Sequence, residues 1–435
     1  MSFADLLQKI EQRQAVLGVI GLGYVGLPVA CMFADAGFYV IGLDIKGERV
    51  AAINACINPI EGDEPGLAEL LQRVVASGHL RSTTDYTELA CADVITINVE
   101  TPVDDAHHPQ YDALKAACTS LGQVIKREML VIIESTVAPG TMDHIVRPLL
   151  EQISGLCVNR DFYLVACPER VMPGKLLANL QSMARVVGGM CPDASELAVA
   201  LYRHIVRAEL DAADCLTAEI VKTAENAYRD VQIAFANELA LICEDLGADV
   251  WHVRGLINKS PGRSVLLPGV GVGGHCIPKD PWLLIAQTNS PMRLIPAARA
   301  INDLMPLHMA DLVSDALNEA GVAMRGAKIA VMGYAYLENS DDSRNTPTEP
   351  FVQRLRDLGA VPAIHDPYVR EYTLPLDQVL TGADCMAVMV RHRQYVQMDL
   401  EQARRLMRTP VLVDGRDTFP HPGGFIWRKI GVRTR

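Results

Sequence analysis

The sequence predicts an α/β protein with two doubly wound parallel sheets and a long helix between them. Three observations lead to this fold class. Short apolar segments alternate with helical patterns in the N-terminal part, a proline-free helical pattern covers residues 216–246, and the strand–helix alternation resumes at Lys328. Alternation of this kind is typical of parallel sheets whose faces are covered by helices.

Five short apolar runs predict the buried strands of the first sheet. They are residues 94–99 and 130–134, together with Val16–Ile20, Tyr39–Leu43 and Tyr163–Ala166. Helical patterns lie between them, over residues 27–36 and 65–77 for example.

The middle of the chain lacks this alternation. Residues 216–246 have apolar positions at helical spacing, and the pattern ends before Gly247, so we expect one long helix or a broken pair that links two lobes. A loop rich in glycine and proline follows over residues 260–281. Four later segments predict the strands of a second, smaller sheet: 328–336, 361–367, 385–390 and 410–416. We therefore predict domains over residues 1–210, 211–320 and 321–435.

The composition excludes several classes of protein. The chain has 435 residues, of which 49% are hydrophobic and 21% are charged, so it is neither disordered, collagen-like nor a coiled-coil rod. A net charge of −12 disfavours binding to nucleic acid or to anionic membranes. Because the first residues are charged, we expect no signal peptide. Because no long apolar run is present, we expect no membrane span. Eleven scattered cysteines without metal-site spacing predict reduced thiols in a cytoplasmic enzyme and no bound metal.

A glycine-rich motif follows the first predicted strand and begins a helix. Its six residues are Gly21, Leu22, Gly23, Tyr24, Val25 and Gly26. Such glycines permit a tight turn, the approach of a pyrophosphate and close packing of helix on strand. Asp44 ends the next strand, where a carboxylate accepts ribose hydroxyls and repels a 2′-phosphate, so the motif predicts NAD as the cofactor. The alternative is a glycine-rich turn kept for packing.

Cys276 is the candidate nucleophile. It lies in a glycine-rich loop with Lys279 and Asp280 alongside, and a nearby cation favours the thiolate, the form that attacks carbonyl groups. The alternative is an inert loop cysteine. His275 is a weak candidate for a base, because adjacent loop residues often point apart.

Polar side chains on the long helix and after two strands complete the set of candidates. Lys222, Asn226 and Asp230 form one stripe of the helix, which is either functional or a solvated face. Thr136 and the pair Glu169 and Arg170 follow strands, at the sheet edge where ligands bind. Glu169 suits a general base and Arg170 suits a polar or anionic substrate, although each alone is also typical of an ordinary loop.

Taken in order, these motifs resemble the UDP-glucose/GDP-mannose dehydrogenase family. The resemblance runs through GLGYVGLP, ETPVD, STVAPGT, CPERVMPG, NAYRDVQIAFANELA, GGHCIPKDP, DDSRNTP and VDGR. It implies a four-electron oxidation of the C6 alcohol of a nucleotide-linked sugar to a carboxylate, with two NAD⁺ and one water. It also implies two Rossmann-like domains, for NAD and for the UDP-sugar, and a central helical domain that carries the cysteine loop and forms a homodimer.

The resemblance assigns roles residue by residue. Cys276 matches the nucleophile, and Lys222 and Asn226 match the groups that stabilise the C6 oxygen. Asp280 matches an acid that helps Lys222 orient water. Glu169 matches the carboxylate of thioester hydrolysis, and Thr136 matches a residue that positions water and cofactor. The implied cofactor contacts are Gly21, Gly23, Tyr24, Val25, Gly26, Asp44, Arg49, Thr101, Thr136, Lys279 and Arg344. The implied substrate contacts are Glu169, Arg170, Lys222, Asn226, Arg263, Gly273 and Arg416.

The segment that follows Pro168 resembles the branch of the family that oxidises N-acetylamino sugars. It implies a UDP-N-acetylhexosamine as substrate, with UDP-N-acetyl-D-mannosamine favoured over the glucosamine and galactosamine epimers and over UDP-glucose. In one departure, Leu337 stands where the family has a lysine that contacts substrate. Two rival interpretations are a two-electron β-hydroxyacid dehydrogenase and a nucleotide-sugar sensor without activity. Neither interpretation explains why the chain has a complete catalytic set, which consists of Cys276, Lys222, Asn226, Asp280 and Glu169.

Overall fold

The computed structural model describes residues 2–60, 64–170, 174–420 and 422–433. The chain forms two compact units. The first contains Met1–Glu225 and Trp282–Asn289, and the second contains Asn226–Pro281 and Ser290–Arg435.

The first unit is built on an eight-stranded sheet with the order β3-β2-β1-β4-β5-β6-β7-β8. Its strands are β1 (Val16–Ile20), β2 (Tyr39–Leu43), β3 (Leu80–Thr83), β4 (Val94–Ile97), β5 (Leu130–Ile133), β6 (Tyr163–Ala166), β7 (Arg185–Gly189) and β8 (Leu210–Asp214). Its helices are α1 (Phe3–Glu11), α2 (Gly26–Asp35), α3 (Gly47–Asn54), α4 (Leu67–Ala76), α5 (Asp112–Gly122), α6 (Arg147–Ser154), α7 (Leu176–Ser182) and α8 (Pro192–Tyr202). Neighbouring strands are parallel, except that β7 runs antiparallel to β6.

Both faces of this sheet are buried. Val19 packs into the apolar cluster on one face and Ile20 into the cluster on the other, because successive side chains of a strand point in opposite directions. A sheet covered on both faces needs apolar residues at nearly every position. That requirement explains why the central strands are continuous apolar runs in the sequence.

The second unit contains a five-stranded parallel sheet with the order β10-β9-β11-β12-β13. Its strands are β9 (Lys328–Met332), β10 (Val361–His365), β11 (Cys385–Val388), β12 (Val411–Asp414) and β13 (Ile426–Lys429). Helix α9 (Cys215–Leu246) begins in the first unit and ends in the second. Helix α11 (Asp280–Ile285) begins in the second unit and ends in the first. The remaining helices are α10 (Val250–Ile257), α12 (Leu294–Glu319), α13 (Thr348–Asp357), α14 (Leu376–Leu380), α15 (Arg393–Val396) and α16 (Leu400–Leu406).

The structure confirms the fold class: two doubly wound sheets joined by a long central helix. Each predicted strand is present, and α9 is a single helix of 32 residues. The sequence did not indicate β3, β7, β8 or β13, since none of them is a continuous apolar run. Within the described ranges, no helix is both long enough and apolar enough to cross a bilayer.

Candidate active site

The glycine-rich motif forms a tight loop between β1 and α2. Gly21 has φ +86°, and a Cβ atom there would lie 2.4 Å from the carbonyl oxygen of Asn98. A Cβ on Gly26 would lie 1.9 Å from the carbonyl oxygen of Gly21, so both positions require glycine. A Cβ on Gly23 would meet no atom of the described residues within 4 Å. The N-cap residue of α2, Val25, makes no side-chain capping bond, so the loop and helix N-terminus fit a bound pyrophosphate.

Asp44 fixes this loop from the end of β2. The carboxylate is 4% exposed and accepts hydrogen bonds from the backbone N–H groups of Leu22 and Lys46, each at 2.9 Å. Arg49 donates to the same carboxylate at 2.9 Å. Thus two of the predicted cofactor contacts, Asp44 and Arg49, lie together beside the glycine loop. The residues present fit NAD.

Thr101 and Thr136 lie together where β4 and β5 end. The Thr101 hydroxyl donates to the carbonyl oxygen of Thr136 at 2.5 Å. Beyond Thr136 the loop is held by Glu219 of α9, which accepts from the N–H groups of Gly140 and Met142 at 2.7 and 2.9 Å. Burial raises the pKa of Glu219 to about 7. The sequence did not single out Glu219, because only the folded chain brings it to this loop.

Glu169 lies in a buried, charged pocket of the first unit. Its side chain is 7% exposed, and its Oε1 atom is 3.9 Å from Nη2 of Arg185. Burial raises the pKa of Glu169, while the positive charges of Arg185 and Lys222 act in the opposite direction. Two positive charges therefore act on the predicted catalytic residue Glu169: that of Lys222, also predicted, and that of Arg185, which the sequence did not indicate.

Arg170 is engaged with protein groups. Its Nη2 atom is 2.8 Å from the carboxylate of Glu225, and its Nη1 atom donates to the carbonyl oxygen of Ala184 at 2.8 Å. The rest of the predicted segment, residues 171–173, lies outside the described residues.

A second carboxylate that the sequence did not single out lies near this segment. Glu64 accepts hydrogen bonds from the hydroxyl of Tyr24 and from the N–H groups of Gly174 and Leu176, the last two at 2.7 and 3.2 Å. It thereby links the cofactor loop to the segment after Glu169. No local sequence pattern carries this signal.

The polar stripe of α9 divides into two parts. Asn226 donates through Nδ2 to Asp280 at 2.5 Å, which brings together two predicted catalytic residues of the second unit. Asp230 is buried and accepts hydrogen bonds from Arg299 and Asn302 of α12 at 2.6 and 2.8 Å. Asp230 is therefore structural, whereas Asn226 belongs to the candidate site.

The cysteine loop is fixed by its neighbours in the second unit. The carbonyl oxygen of Cys276 accepts from the N–H groups of Lys279 and Asp280 at 3.1 and 2.8 Å. The N–H of Gly274 donates to the carbonyl oxygen of Arg344 at 2.8 Å, so the predicted cofactor contact Arg344 adjoins this loop. A Cβ on Gly273 would lie 2.4 Å from Cβ of Tyr336. The Cys276 side chain itself is exposed.

The cysteine loop carries a lysine and a neutral imidazole, Lys279 and His275. Nζ of Lys279 is 3.3 Å from Oδ1 of Asp280, an ion pair without hydrogen-bond geometry. Burial, together with the nearby charges of Lys279 and Arg344, lowers the pKa of His275 to about 4. His275 is thus uncharged at neutral pH.

The remaining predicted substrate contacts lie in the second unit. Arg416 donates through Nε to the carbonyl oxygen of Met389 at 3.0 Å and packs against Gly269. Arg263 lies on an exposed loop, where its Nη1 atom donates to the carbonyl oxygen of Pro261 at 3.2 Å. Leu337, which replaces the family lysine, is exposed.

Three family models match consecutive parts of the chain. The NAD binding domain of the UDP-glucose/GDP-mannose dehydrogenase family matches residues 15–206. The central domain of that family matches residues 216–304, and its UDP binding domain matches residues 330–421.

Whole proteins match over nearly their full lengths. The UDP-N-acetyl-D-mannosamine dehydrogenase of Pyrococcus horikoshii is 39% identical, covering 95% of this chain and 99% of the relative. The structure of UDP-D-ManNAc dehydrogenase from the same organism superposes with a TM-score of 0.92 over 96% of this chain and 99% of that one, at 39% identity. An NDP-N-acetyl-D-galactosaminuronic acid dehydrogenase of Ralstonia nicotianae is 36% identical, covering 92% of this chain and 95% of the relative.

Three observations indicate the same family: the glycine loop beside Asp44, the two parallel sheets and the three consecutive domain matches. The protein is an NAD-dependent nucleotide-sugar dehydrogenase, and the chain belongs to the UDP-glucose/GDP-mannose dehydrogenase family.

Proposed function

We propose that the protein oxidises the C6 alcohol of a UDP-N-acetylhexosamine to the uronic acid, consuming two NAD⁺ and one water, and that UDP-N-acetyl-D-mannosamine is its substrate. The observation that carries this proposal is Cys276, an exposed thiol on a loop held rigidly by backbone hydrogen bonds. A two-electron dehydrogenase has no use for such a nucleophile. The relatives named for N-acetylated amino sugars support the choice of substrate.

The proposed chemistry balances around Cys276. NAD⁺, when bound, accepts a hydride from C6 in each of the two oxidations. The Cys276 thiolate adds to the aldehyde that the first oxidation yields, and the resulting thiohemiacetal becomes a thioester in the second. Water then forms the new C–O bond, the C–S bond breaks and the thiolate returns.

The surrounding residues hold oxygen atoms and move protons. We assign Lys222 and Asn226 to the oxygen of C6, where fixed donors stabilise developing negative charge. Asp280 orients the Asn226 amide through their 2.5 Å hydrogen bond. Thr136 positions the attacking water, and Glu169 takes its proton. Burial raises the pKa of Glu169, which makes its carboxylate a stronger base than an ordinary one and suits this role.

The other predictions enter the proposal as follows. Residues 1–210 bind NAD, residues 211–320 carry the cysteine loop, and residues 321–435 bind the UDP-sugar. Arg170, Arg263, Gly273 and Arg416 contact the substrate, and Lys279 and Arg344 contact the cofactor. The reduced thiols predicted from the sequence support a cytoplasmic location.

We also propose a homodimer formed through α9. Three large apolar side chains lie exposed at intervals of seven residues: Tyr228 (65% exposed), Phe235 (55%) and Ile242 (47%). A seven-residue apolar repeat is typical of a helix that packs along another helix, and a second copy supplies the same stripe. Sedimentation should show a dimer, and Phe235→Glu should convert it to a monomer; a wild-type monomer would contradict the proposal.

The test of function is the stoichiometry of NADH on a panel of UDP-hexoses and UDP-N-acetylhexosamines. We expect two NADH for each sugar consumed, and kcat/KM at least about tenfold higher for a UDP-N-acetylhexosamine than for UDP-glucose. One NADH would favour a two-electron enzyme, and none would favour a sensor. Cys276→Ser should block acid formation, whereas Cys91→Ser, at another exposed cysteine, should not.

Trapping the acyl-enzyme separates Cys276 from Glu169. Glu169→Gln keeps the nucleophile but lacks the base, so a thioester should accumulate after a burst of two NADH per active site. Intact-protein mass spectrometry should detect the nucleotide-sugar acyl group, and the group should be absent when Cys276 is also replaced. Unimpaired turnover without an adduct would remove Glu169 from the mechanism.

A further inference from the structure

A buried arginine lies beside the proposed base. Arg185 begins β7 and is 2% exposed. Because a buried charge is costly unless it is paired, its surroundings must compensate for its burial. Its Nη1 atom is 3.3 Å from Oε1 of Glu134, its Nη2 atom is 3.9 Å from Oε1 of Glu169, and its guanidinium lies 4.8 Å from the ring centre of Tyr202.

The guanidinium of Arg185 lies near two buried carboxylates, those of Glu134 and Glu169. Glu134 is buried at the end of β5 and also accepts a hydrogen bond from the hydroxyl of Tyr202 at 2.5 Å. Burial and the charge of Glu134 raise the pKa of Tyr202 well above its ordinary value, so Tyr202 is a neutral donor. Glu134 and Tyr202 therefore fix Arg185. Its Nη2 atom has no hydrogen-bond partner among the described residues and is the guanidinium atom that lies 3.9 Å from Glu169.

We propose that Arg185 is a positioning residue for thioester hydrolysis: held by Glu134 and Tyr202, it keeps Glu169 ionised and ready to take the proton of the attacking water. The inference rests on the proposed function. In this proposal Arg185 acts through Glu169 and not by direct contact with substrate or cofactor. In the step concerned, water forms the C–O bond, the bond from carbon to the Cys276 sulfur breaks, and the proton of water passes to Glu169.

Burial and the charges around Glu169 together determine the direction in which its pKa is shifted. Burial disfavours its charged form and dominates. Arg185 from β7 is the largest opposing influence, followed by Lys222 from α9, while Glu134 from the end of β5 acts with burial. The backbone N–H of Arg170 also favours the ionised form. Without Arg185, Glu169 should hold its proton to a higher pH.

The experiment follows the pH dependence of acyl-enzyme hydrolysis in Arg185→Met/Glu134→Gln. This pair removes one positive and one negative charge, so it leaves no unpaired carboxylate at position 134. Hydrolysis is timed by intact-protein mass spectrometry after mixing with NAD⁺ and the UDP-N-acetylhexosamine that the wild type uses. We expect the acid limb to move upward by about one pH unit, a tenfold slower hydrolysis on that limb, and recovery of the rate at high pH.

Two further variants make the test independent of folding. Glu134→Gln alone keeps Arg185 and removes a negative charge near Glu169, so its acid limb should move to lower pH, opposite to the double variant. Arg185→Lys keeps the charge and should stay closer to the wild type than the double variant does. An acid limb that stays unmoved in the folded double variant, or in Glu134→Gln if the double variant does not fold, would overturn the proposal.

A spectroscopic reading distinguishes this proposal from the proposed function. The infrared carbonyl band of protonated Glu169, identified by its loss in Glu169→Gln, can be titrated in the same variants without any substrate. If the wild type oxidises no UDP-sugar, the function fails, yet the band still reports whether Arg185 holds Glu169 ionised. If turnover is normal and the titration midpoint does not move, only the role of Arg185 fails.

Discussion

The two sheets begin with the same local plan. In the first unit, β1 leads into Gly21 at φ +86°, and the next strand is followed by Asp44, which accepts a hydrogen bond from the loop N–H of Leu22. In the second unit, β9 leads into Gly333 at φ +99°, and the next strand is followed by Asp366, which accepts from the loop N–H groups of Tyr334 and Ala335 at 2.7 and 2.9 Å.

The two aspartates nevertheless have different surroundings. Asp44 has a side chain, Arg49, as its third partner, and that guanidinium remains partly exposed. Asp366 is fully buried, and besides the loop it accepts hydrogen bonds from His392 and from the N–H groups of Tyr368 and Val369. Five donors saturate its two oxygens. Asp44 is therefore available for a ligand, and Asp366 is a structural clamp.

The helices after the two loops differ as well. In the first unit, α2 begins at Gly26, directly after the turn, whereas in the second unit α13 begins at Thr348, fifteen residues after Gly333. The first loop can present a helix N-terminus to a pyrophosphate and the second cannot. A glycine after a strand and an acid after the next strand are thus not sufficient evidence of a dinucleotide site.

The largest expected effect is on stability, in Asp366→Ala. Removing this carboxylate leaves His392 and four backbone N–H groups without their acceptor, which should lower the free energy of unfolding by roughly 3–5 kcal/mol. Asp44→Ala, which frees two N–H groups at a more open position, should cost roughly 1–2 kcal/mol. Urea unfolding followed by tryptophan fluorescence measures both. Equal losses would contradict the distinction between clamp and ligand site.

Low pH should reduce the stability of the protein by protonating the same carboxylate, Asp366. Although burial opposes its ionisation, hydrogen bonds from His392 and the loop lower the pKa of Asp366 to about 2, from 3.8. A lowered pKa gives stability that is present above the unfolded value and lost as pH falls through the folded value. About 2 kcal/mol should therefore disappear between about pH 4 and pH 2. Asp366→Asn should lack this component, and an unchanged acid profile in that variant would contradict the assignment.

These differences mark what the sequence can predict. Strands buried on both faces, such as Val16–Ile20, are visible as apolar runs. Strand β8 (Leu210–Asp214) is mostly exposed and contains two aspartates, and β13 (Ile426–Lys429) carries two basic residues, so neither has that signal. The antiparallel pairing of β6 with β7 depends on tertiary packing, which no local pattern encodes.

The candidate site divides in the same way. Gly21, Asp44 and Cys276 belong to local motifs whose spacing indicates their chemistry, so the sequence alone makes them candidates. Arg185 and Glu64 were not among the candidates, since each acts on residues far away in the chain. Arg185 resembles an ordinary strand residue until the fold brings it to Glu169, and the number of donors around Asp366 is equally a property of the folded chain.

The preference for NAD⁺ over NADP⁺ tests whether Asp44 is a ligand site. In Asp44→Ala the carboxylate that repels a 2′-phosphate is gone, and Arg49, no longer held at 2.9 Å, is free to meet that phosphate. The ratio of kcat/KM for NAD⁺ to that for NADP⁺ should fall about tenfold, or about 1.4 kcal/mol. Asp44→Ala/Arg49→Ala should lose the gain with NADP⁺. A wild type that uses both cofactors equally would disprove the assignment of Asp44 to the ribose.

The smallest expected effect concerns Gly23, where binding and stability should separate. An added methyl group meets no described protein atom within 4 Å, so the fold should tolerate Gly23→Ala and even gain about 0.4–1 kcal/mol from a less flexible unfolded chain. The same methyl group would occupy the space through which the backbone meets the pyrophosphate, and NAD⁺ should bind about fivefold more weakly, a loss of about 1 kcal/mol. Calorimetric titration with NAD⁺ and thermal unfolding measure the two quantities. Gly255→Ala on α10, where a Cβ is equally free of contacts, is the matched control and should leave NAD⁺ binding unchanged. If Gly23→Ala bound NAD⁺ as tightly as the wild type, the open space above this loop would not be the pyrophosphate site.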